Sequence, residues 1–528
     1  MRYLVDRCGG WRNALTVVGA AAILGGGALL RLHGINQYGL NSDEAVYAGQ
    51  AAGLAGFTHY SQLFGLFRAH PLLVQLLVSF AYRLTGVSGL VARDVCAGFG
   101  VALILVVGIA GRVLWGRLAA LIGMLFVAVS PYPIAVSRQM LLDGPEAFFV
   151  ALTVLLLCVY VKRPRRELLW AAAFAGGLAF LSKESAILLV PAVLVFFIVS
   201  PKTLPRYRDL VIAGAIYVLT ILPYPLAELS AGKVSTGADY LVWQVLRPAN
   251  HPLDFYFGIL GAIGWAIVGL ALIGGIVAFL RRSPVDILLL TVILVIFGFL
   301  EAWPTKGYEY LLPLIAPLAL LAVSGALQMG TALARLFRRR SAHPERHRGM
   351  WVPAGLAVVA AGTIFLTASP IVNAQQGASN LVGTDSGQPA VARVTVLAGS
   401  GGLLAGRPTG LWVKSHILAG SEFLTIGPTF ANILEFYSQD RALALSVSPN
   451  PLHRNPSYSP VDNADLLIRS GAIQYLVYDA YSAARSAHFA DRVLALARKF
   501  HGVLVYQYDQ TSSTGRHRAL VRVYEVQP

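Results

Sequence analysis

Charged residues are scarce in this chain. They make up 13% of its 528 residues, whereas hydrophobic residues make up 56%. A soluble domain of this size carries roughly 25% charged residues, about twice as many. The apolar residues also fall in blocks of about twenty, the length of a helix that crosses a bilayer. Composition therefore excludes an ordinary soluble protein and predicts one that is embedded in a membrane.

Cysteine is almost absent, with only Cys8, Cys96 and Cys158 in the whole sequence. Cys8 is near the N-terminus, and the other two lie inside apolar blocks. Neither a disulfide framework nor the spacing of a metal–thiolate site is present.

Acidic residues are also few, 26 against 42 lysines and arginines, which gives a net charge of +16. The basic residues do not form a nucleic-acid-binding surface, because they occur in short clusters between apolar blocks. The clusters lie at residues 162–166, 202–208, 281–282 and 335–348. This is the positive-inside pattern of cytoplasmic loops, so we expect no nucleic-acid partner.

The predicted fold class is a polytopic α-helical membrane protein with about eleven transmembrane helices. The N-terminus is placed in the cytoplasm because Arg2, Arg7 and Arg12 precede the first span, which is not a cleaved signal since more spans follow. An odd number of spans then puts the C-terminal part outside the cytoplasm and every basic cluster inside. The spans are predicted at about 14–32, 91–112, 117–136, 145–161, 168–182, 185–200, 209–226, 255–279, 284–302, 311–330 and 351–369.

Two long outer loops separate some of these spans. The first, about 33–90, contains an amphipathic stretch at 70–84 that is short for a span, so we expect it to lie at the membrane interface. The second loop is at about 227–254.

Residues 371–528 have a different pattern from the first domain, residues 1–370. Runs containing glycine and serine at 377–386 and 399–406 indicate a flexible entry. Strand-like runs, such as those at 423–427, 475–478 and 519–524, then alternate with helical patterns at 429–438 and 483–500. This alternation predicts a soluble α/β domain.

Asp43 and Glu44 are adjacent acids just after the first span. They could simply begin a helix, where acidic residues interact favourably with the helix dipole. Alternatively, one of the carboxylates is a general base, since ionisable groups at span ends are functional candidates.

Four other clusters lie on the same predicted membrane face, and each also has a structural explanation. His70 precedes a proline that suits a helix start, and Arg138 and Asp143 could form a solvated ion pair. His251 could be a structural histidine, and Lys306 could extend along the membrane interface. Together they place acids, histidines and cations where chemistry on a lipid-linked anionic substrate would occur.

In this order the motifs resemble the GT-C superfamily of polyprenyl-phosphate-sugar-dependent glycosyltransferases. The closest types are protein O-mannosyltransferases and lipid A aminoarabinose transferases. One departure is Leu72, which stands where the family has a second proline after the histidine. The resemblance rests on Asp43-Glu44, His70, Arg138 with Asp143, Lys183-Glu184, His251 before Phe255-Tyr256, and Lys306 followed by Tyr310-Leu-Leu-Pro313.

The resemblance implies a polyprenyl-phosphate-linked sugar donor and a lipid, glycan or protein acceptor with a hydroxyl group. Polyprenyl phosphate is a good leaving group, so the site needs cations for the phosphate and a base for the acceptor hydroxyl. The cation candidates are Lys306 and Arg138, then Lys183 and His70, and the base is Asp43. Attack opposite the phosphate implies inversion at the sugar carbon.

Glu44 or Asp143 would orient the acceptor or stabilise positive charge on the sugar ring. Tyr308 and Tyr310, in the Lys306 segment, are candidate donor-binding residues. A divalent cation near the donor, with His251 as a ligand, is possible by analogy with some relatives, but the sequence shows no full ligand set.

The expected location is the plasma membrane of a bacterium, with membrane lipids as further partners. Two other functions remain open from the sequence. A flippase or transporter would show inverted repeats and helices broken by glycine or proline at mid-membrane, whereas the charged groups here lie at the outer face and no repeat is evident. A non-catalytic membrane scaffold would leave the Asp43 cluster without a purpose.

Overall fold

The computed structural model describes residues 11–67, 70–340, 355–362, 364–365, 402–511 and 517–528. Its first part is helical throughout. The helices are α1 Trp11–Leu32, α2 Ser42–Leu54, α3 Thr58–Leu63, α4 Leu73–Thr85, α5 Gly89–Trp115, α6 Arg117–Val129, α7 Pro131–Ser137, α8 Asp143–Lys162, α9 Arg166–Ser182, α10 Leu189–Val199, α11 Tyr207–Ile221, α12 Pro223–Ser230, α13 Val234–Leu246, α14 Phe255–Ile263, α15 Trp265–Arg281, α16 Pro284–Ala302 and α17 Ile315–Arg340. Short 3₁₀ helices at Glu184–Leu188 and Tyr308–Leu314 precede α10 and α17.

The chain is a multi-pass membrane protein, and each of the first ten predicted spans coincides with a helix or a helix pair. Six helices in the described residues are long and apolar enough to cross a membrane, or eight if each of two bent pairs is one span. Shorter apolar helices lie at Leu73–Thr85 and Glu184–Val199. The predicted eleventh span lies largely outside the described residues, which include a helical stretch at 355–362.

The two bent pairs refine the sequence analysis, which gave 117–136 and 255–279 each as one span without a break. α6 and α7 meet at 62°, where Pro131 begins the second helix. α14 and α15 meet at 104°. The break falls at Gly264, whose φ of +112° is accessible to glycine and strained for other residues. The two breaks are in contact, because the Ser130 hydroxyl donates to the Ile263 carbonyl oxygen at 2.7 Å.

Helices α15 and α17 cross at two glycines. A Cβ atom on Gly274 would lie 1.9 Å from the carbonyl oxygen of Leu321, and one on Gly325 would lie 2.1 Å from that of Leu270. Small residues allow such close approach, and van der Waals packing is the main force between helices in lipid. Large apolar side chains on the outside, such as Ile198 and Leu219, are exposed and form the surface for lipid.

Two of the basic clusters, those at 162–166 and 281–282, meet at one end of the bundle. Lys162 donates hydrogen bonds to the carbonyl oxygens of Val113 and Leu114, at the end of α5. Beside it Arg281 forms a two-point ion pair with Asp286. We call the opposite end, which carries the soluble domain, the domain face.

The C-terminal part is a small α/β domain, as predicted. Its sheet has the order β2-β1-β3-β5-β4, in which β1 runs parallel to β2 and β3 while β5 is antiparallel to β3 and β4. The sequence analysis missed β2, which has only three residues, and β4. The elements are α18 Gly406–His416, β1 Phe423–Thr425, α19 Pro428–Ser438, β2 Ala442–Ala444, α20 Ala464–Arg469, β3 Tyr475–Asp479, α21 Ala480–Arg485, α22 Ala487–Lys499, β4 Val503–Thr511 and β5 His517–Glu525. The predicted domain boundary at residue 370 and the entry segment 377–386 lie outside the described residues.

The α/β domain packs directly on the first loop of the membrane part. One hydrophobic cluster contains residues of α2, α4 and α5 together with Phe430 and Phe436 of α19. The Leu40 N–H donates to the Tyr437 hydroxyl at 2.9 Å, and the Asn432 amide donates to the Ser42 hydroxyl at 3.0 Å. The domain therefore fixes the start of α2, the helix that carries Asp43.

Candidate active site

Helix α2 begins with a capping box, which sets the directions of its two acids. Asn41 is the N-cap: its side chain accepts from the Glu44 N–H, and Glu44 in turn accepts from the Asn41 N–H, both at 2.9 Å. Such reciprocal bonds satisfy two backbone donors that a helix start leaves free. The helix-start explanation is thus correct for Asn41 and Glu44, and Asp43 remains in the first turn without a capping role.

Glu44 is fully buried against Arg93 of α5. The Arg93 Nε and Nη2 donate to its two carboxylate oxygens at 2.7 and 2.6 Å, and the Met140 N–H donates at 2.8 Å. Arg93 also donates to the carbonyl oxygens of Ile35, Tyr38 and Gly39. With both oxygens occupied, Glu44 holds the first loop to the bundle, and its carboxylate faces Arg93 and the Met140 N–H.

Asp43 has the opposite environment. Its side chain is exposed, and its carboxylate accepts no hydrogen bond from the part of the chain that the structure describes. The surrounding protein nevertheless limits the hydration of this carboxylate, which raises the pKa of Asp43. The charges of nearby His70 and Lys183 act in the opposite direction and lower it. An exposed carboxylate that protein surrounds so closely faces a recess in the domain face.

His70 lies beside this recess and is oriented by Glu184. Its Nδ1 is 2.7 Å from a carboxylate oxygen of Glu184. An ionised carboxylate only accepts, so Nδ1 carries a proton in this pair and Nε2 remains for another partner. The rings of Tyr47 and Tyr240 stand edge-on to the imidazole, at centroid distances of 5.9 and 5.7 Å.

Lys183 forms the second ion pair of the site. Its Nζ donates to Asp143 Oδ1 at 2.7 Å, with both side chains buried. The same Nζ lies 4.2 Å from the centroid of the Tyr310 ring, a cation–π distance. Asp143 and Tyr310 therefore hold the ammonium close to Asp43, whose carboxyl interacts with it electrostatically.

Three further residues of the site were missed from the sequence. Glu146 is buried and accepts from the Ser185 hydroxyl at 2.7 Å. It lies three residues after Asp143 in α8, on the same helix face, so helical periodicity would have found it. Tyr47, four residues after Asp43 in α2, was detectable in the same way. Tyr240 comes from the second loop, and no local pattern connects it to His70.

Arg138 and Lys306, the leading phosphate candidates from the sequence, each donate to backbone carbonyl oxygens at a helix end. Arg138 Nη1 donates to the carbonyl oxygen of Leu30, at the end of α1, at 2.9 Å. Lys306 Nζ donates to the carbonyl oxygens of Leu300 and Glu301, so it caps the C-terminus of α16. In each case a cation satisfies a helix end, where the dipole is negative.

Tyr308 and His251 also have structural partners. The Tyr308 hydroxyl donates to the Gln139 side chain at 2.8 Å, and Gln139 also accepts from Asn41. His251 stacks on Phe255 with ring centroids 4.0 Å apart. Burial lowers the pKa of His251, and the cations Lys306 and Arg485 lower it further.

The possible divalent cation has no ligand set in the structure. Over the described ranges, no three His, Cys, Asp or Glu side chains are grouped closely enough to hold a metal ion. His251 is stacked, and its nearest charged neighbours are cations. These residues do not fit a metal site, and the mechanism below uses none.

Comparisons with known proteins connect this site to a class. Residues 69–225 match the family model of dolichyl-phosphate-mannose-protein mannosyltransferases. An uncharacterised protein of Aquifex aeolicus is 32% identical over 142 residues, which are 26% of this chain and 28% of that protein. The chain thus spans under a third of that relative.

Solved structures resemble the chain over almost its whole length. ArnT from Cupriavidus metallidurans in the apo state has a TM-score of 0.70 at 15% identity, covering 97% of this chain and 98% of that one. The same protein bound to undecaprenyl phosphate has a TM-score of 0.65 at 17% identity, with coverage of 97% for both chains. The oligosaccharyltransferase AglB from Archaeoglobus fulgidus, in complex with an inhibitory peptide and a dolichol-phosphate, has a TM-score of 0.60 at 14% identity, covering 97% of this chain and 74% of that one.

Proposed function

Because the chain has the fold of the GT-C superfamily, and one segment matches a mannosyltransferase family, we propose that it is a membrane glycosyltransferase. Its donor is a sugar linked to a polyprenyl phosphate, and its acceptor is an envelope molecule with a hydroxyl group. ArnT and AglB, which share this fold, have structures with undecaprenyl phosphate and dolichol-phosphate, respectively. Both ligands are polyprenyl phosphates, which supports the same donor class here.

The observation that carries the proposal is the position of Asp43. Its carboxylate is exposed and accepts no hydrogen bond from a described residue, beside two cation-bearing pairs, His70–Glu184 and Lys183–Asp143. A carboxylate kept free next to cations that are held in place is the arrangement that phosphate displacement with a general base requires. A scaffold has no use for a free carboxylate in a recess of this kind.

The reaction follows from these positions. The acceptor oxygen attacks the sugar carbon that carries the phosphate, and its proton passes to the Asp43 carboxylate. The bond between this carbon and the phosphate oxygen breaks, and the phosphate keeps the electron pair. Lys183 and His70 stabilise the charge that develops on the leaving phosphate. Attack from the face opposite the phosphate gives inversion at that carbon.

Two other acids of the site hold its cationic side chains in position. Asp143 fixes the Lys183 ammonium, and Glu184 fixes the His70 ring, so both are positioning residues. Arg138, Lys306 and Tyr308 keep the helix ends and the first loop in place. This ranking reverses the order of phosphate candidates that the sequence suggested.

The site lies on the domain face, opposite the basic clusters at 162–166 and 281–282. By the positive-inside rule those clusters are cytoplasmic, so we place the reaction and the α/β domain on the outer side of a bacterial plasma membrane. This orientation also places the N-terminus in the cytoplasm.

The test measures donor consumption and sugar transfer by the full chain in nanodiscs. Radiolabelled polyprenyl-phosphate hexoses and pentoses are supplied with a cell-envelope extract to the wild type, Asp43→Asn and the control Asp491→Asn. Asp491 is an exposed acid on α22, so its variant has the same charge change outside the site.

We expect transfer from one donor by the wild type and the control, and its loss in Asp43→Asn with the fold retained. If no donor is consumed, or if Asp43→Asn is as active as the control, the proposal fails. Movement of intact donor between leaflets would identify a transporter instead.

A further inference from the structure

A second recess lies on the domain face, between α3 of the first loop and the α/β domain. Its volume is about 1010 Å³, at the upper end of the ~300–1,000 Å³ that small-molecule sites occupy. Its lining is rich in amide, carboxyl and hydroxyl groups, and the residues that matter here are Gln62, Asn432, Glu435, Asp440, Tyr458 and Ser459. We call it the domain cavity.

The groups that line the domain cavity suit sugar hydroxyls. The Gln62 amide offers two donors and one acceptor oxygen. The Asp440 carboxylate accepts from the Gly420 N–H through Oδ1 and keeps Oδ2 as an acceptor, so these planar groups can bond sugar hydroxyls. Gln62 comes from the first loop, whereas Asn432 and Asp440 come from the α/β domain. A ligand here would contact both parts of the protein.

The charges of the cavity do not favour an anion. Among the described residues that line it, two permanent cations, Lys414 and Arg441, are matched by the acids Glu422 and Asp440. Arg441 also lies 3.3 Å from Glu422, so its charge is partly neutralised. An uncharged, hydroxyl-rich ligand therefore fits better than a phosphate or an acidic glycan.

An extended peptide is disfavoured by the edge of the sheet. Strand β2 is an edge strand and lines the cavity, so a peptide would add to it as a further strand. The Ala442 N–H already donates to Glu435, and the Ala444 carbonyl already accepts from the Val447 N–H. This three-residue edge thus has little free backbone to offer.

The cavity is connected to the catalytic helix through one side chain. The Asn432 amide donates to the Tyr458 hydroxyl at 2.8 Å and to the Ser42 hydroxyl at 3.0 Å. Ser42 is the first residue of α2 and directly precedes Asp43. A ligand held in the cavity therefore lies next to the helix start that presents the base.

We propose that the domain cavity binds a neutral saccharide portion of the acceptor. The inference rests on the proposed function, because it identifies the acceptor side of the same reaction. The α/β domain then has a role in substrate recognition, with Gln62 of the first loop and Asp440 of the α/β domain as binding residues on opposite sides of the cavity. The donor phosphate remains at the separate, cation-bearing site of His70 and Lys183.

The test measures saccharide binding directly, with the full chain in nanodiscs and saturation-transfer NMR. The probes are the neutral trisaccharides maltotriose, cellotriose and chitotriose, an acidic trigalacturonate, and a serine-containing hexapeptide. Gln62→Trp and Ser459→Trp each fill the cavity from one wall, at exposed positions where an indole is tolerated. Gln507→Trp, on the exposed face of β4, is the matched control.

We expect a neutral trisaccharide to bind the wild type and the control, and to bind both cavity variants at least tenfold more weakly. The inference is overturned if the wild type binds no neutral probe, or if both cavity variants bind it as tightly as the wild type does. A preference of the wild type for the acidic probe or the peptide would also overturn it. Donor turnover that depends on Asp43, without saccharide binding, would overturn this inference alone. Saccharide binding without donor turnover would overturn the proposed function and, with it, the acceptor role.

Discussion

The Glu44 carboxylate accepts hydrogen bonds from Nε and Nη2 of Arg93 at 2.7 and 2.6 Å, and both residues are buried. Asp43, the preceding residue, is exposed. Neighbouring residues on a helix point roughly 100° apart, so one acid of the pair faces the bundle while the other faces the recess. The two acids therefore have separate roles, one in the fold and one in the chemistry.

Substitution of Glu44 tests the structural half of this division. Glu44→Gln leaves the Arg93 charge buried without its partner, which costs about 3–5 kcal/mol in free energy of unfolding. We expect a clear fall in the midpoint of thermal unfolding in detergent, together with loss of expression or activity through unfolding. An unchanged midpoint would show that the ion pair does not hold the first loop.

Substitution of Asp43 should not reduce stability. The surrounding protein limits hydration of the Asp43 carboxylate and so raises the pKa of Asp43. The folded state therefore binds this proton more tightly than the unfolded state does. The stability from this group is present below the unfolded pKa and is lost as pH rises through the folded pKa. We expect Asp43→Asn to unfold at the same or a higher temperature above neutral pH, while turnover falls about 10²–10⁴-fold, as for loss of a general base. A destabilised Asp43→Asn would contradict this assignment.

The pH dependence of turnover tests the neighbours of the base. Asp43 acts when ionised, so turnover should fall as pH decreases through its raised pKa, above the ordinary carboxyl value of about 3.9. His70 lowers this pKa, and removal of its charge in His70→Gln should move the acidic limb to higher pH. The measurement is a pH–rate profile of donor consumption for both proteins. If the acidic limb lies at the same pH in both proteins, His70 does not affect the pKa of Asp43.

Two buried lysines provide a matched comparison of the phosphate-binding candidates. Lys183 is beside Asp43, whereas Lys306 caps α16. Lys183→Gln should lower donor turnover by at least tenfold, and it should also lower the unfolding temperature because it leaves Asp143 buried without its partner. Lys306→Gln should lower the unfolding temperature, while the folded protein keeps its turnover. Donor turnover and thermal unfolding are measured on both variants. The opposite result would restore Lys306 as the phosphate ligand.

The crossing of α15 and α17 can be tested apart from the site. Gly274→Ala places a methyl group where the Leu321 carbonyl already lies, so the helices must separate. Gly269→Ala, in the same helix, meets no atom within 4 Å and is the control. We expect a lower unfolding temperature for Gly274→Ala only. Equal stability of the two variants would mean that the helices do not cross at these glycines.

The sequence was informative wherever a property depends on neighbouring residues. Ten predicted spans coincide with helices because the length and hydropathy of an apolar block are local properties. The α/β domain was predicted from alternating strand and helix patterns for the same reason. The break at Gly264 was missed, since a glycine within an apolar run does not show that its φ is positive.

The sequence by itself determined that this is a helical membrane protein with a soluble α/β domain, and it supplied the set of residues from which the site is built. Only the tertiary structure decided which of them meet. Arg93 pairs with Glu44 from 49 residues away, and Lys183 pairs with Asp143 from 40 residues away. The choice of Asp43 over Glu44, and of Lys183 over Lys306, depends on partners brought together by helix packing. Arg93 satisfies the Glu44 carboxylate, so Glu44 is not available to substrate. Both lysines have partners, and Lys183 is preferred because helix packing places it beside Asp43.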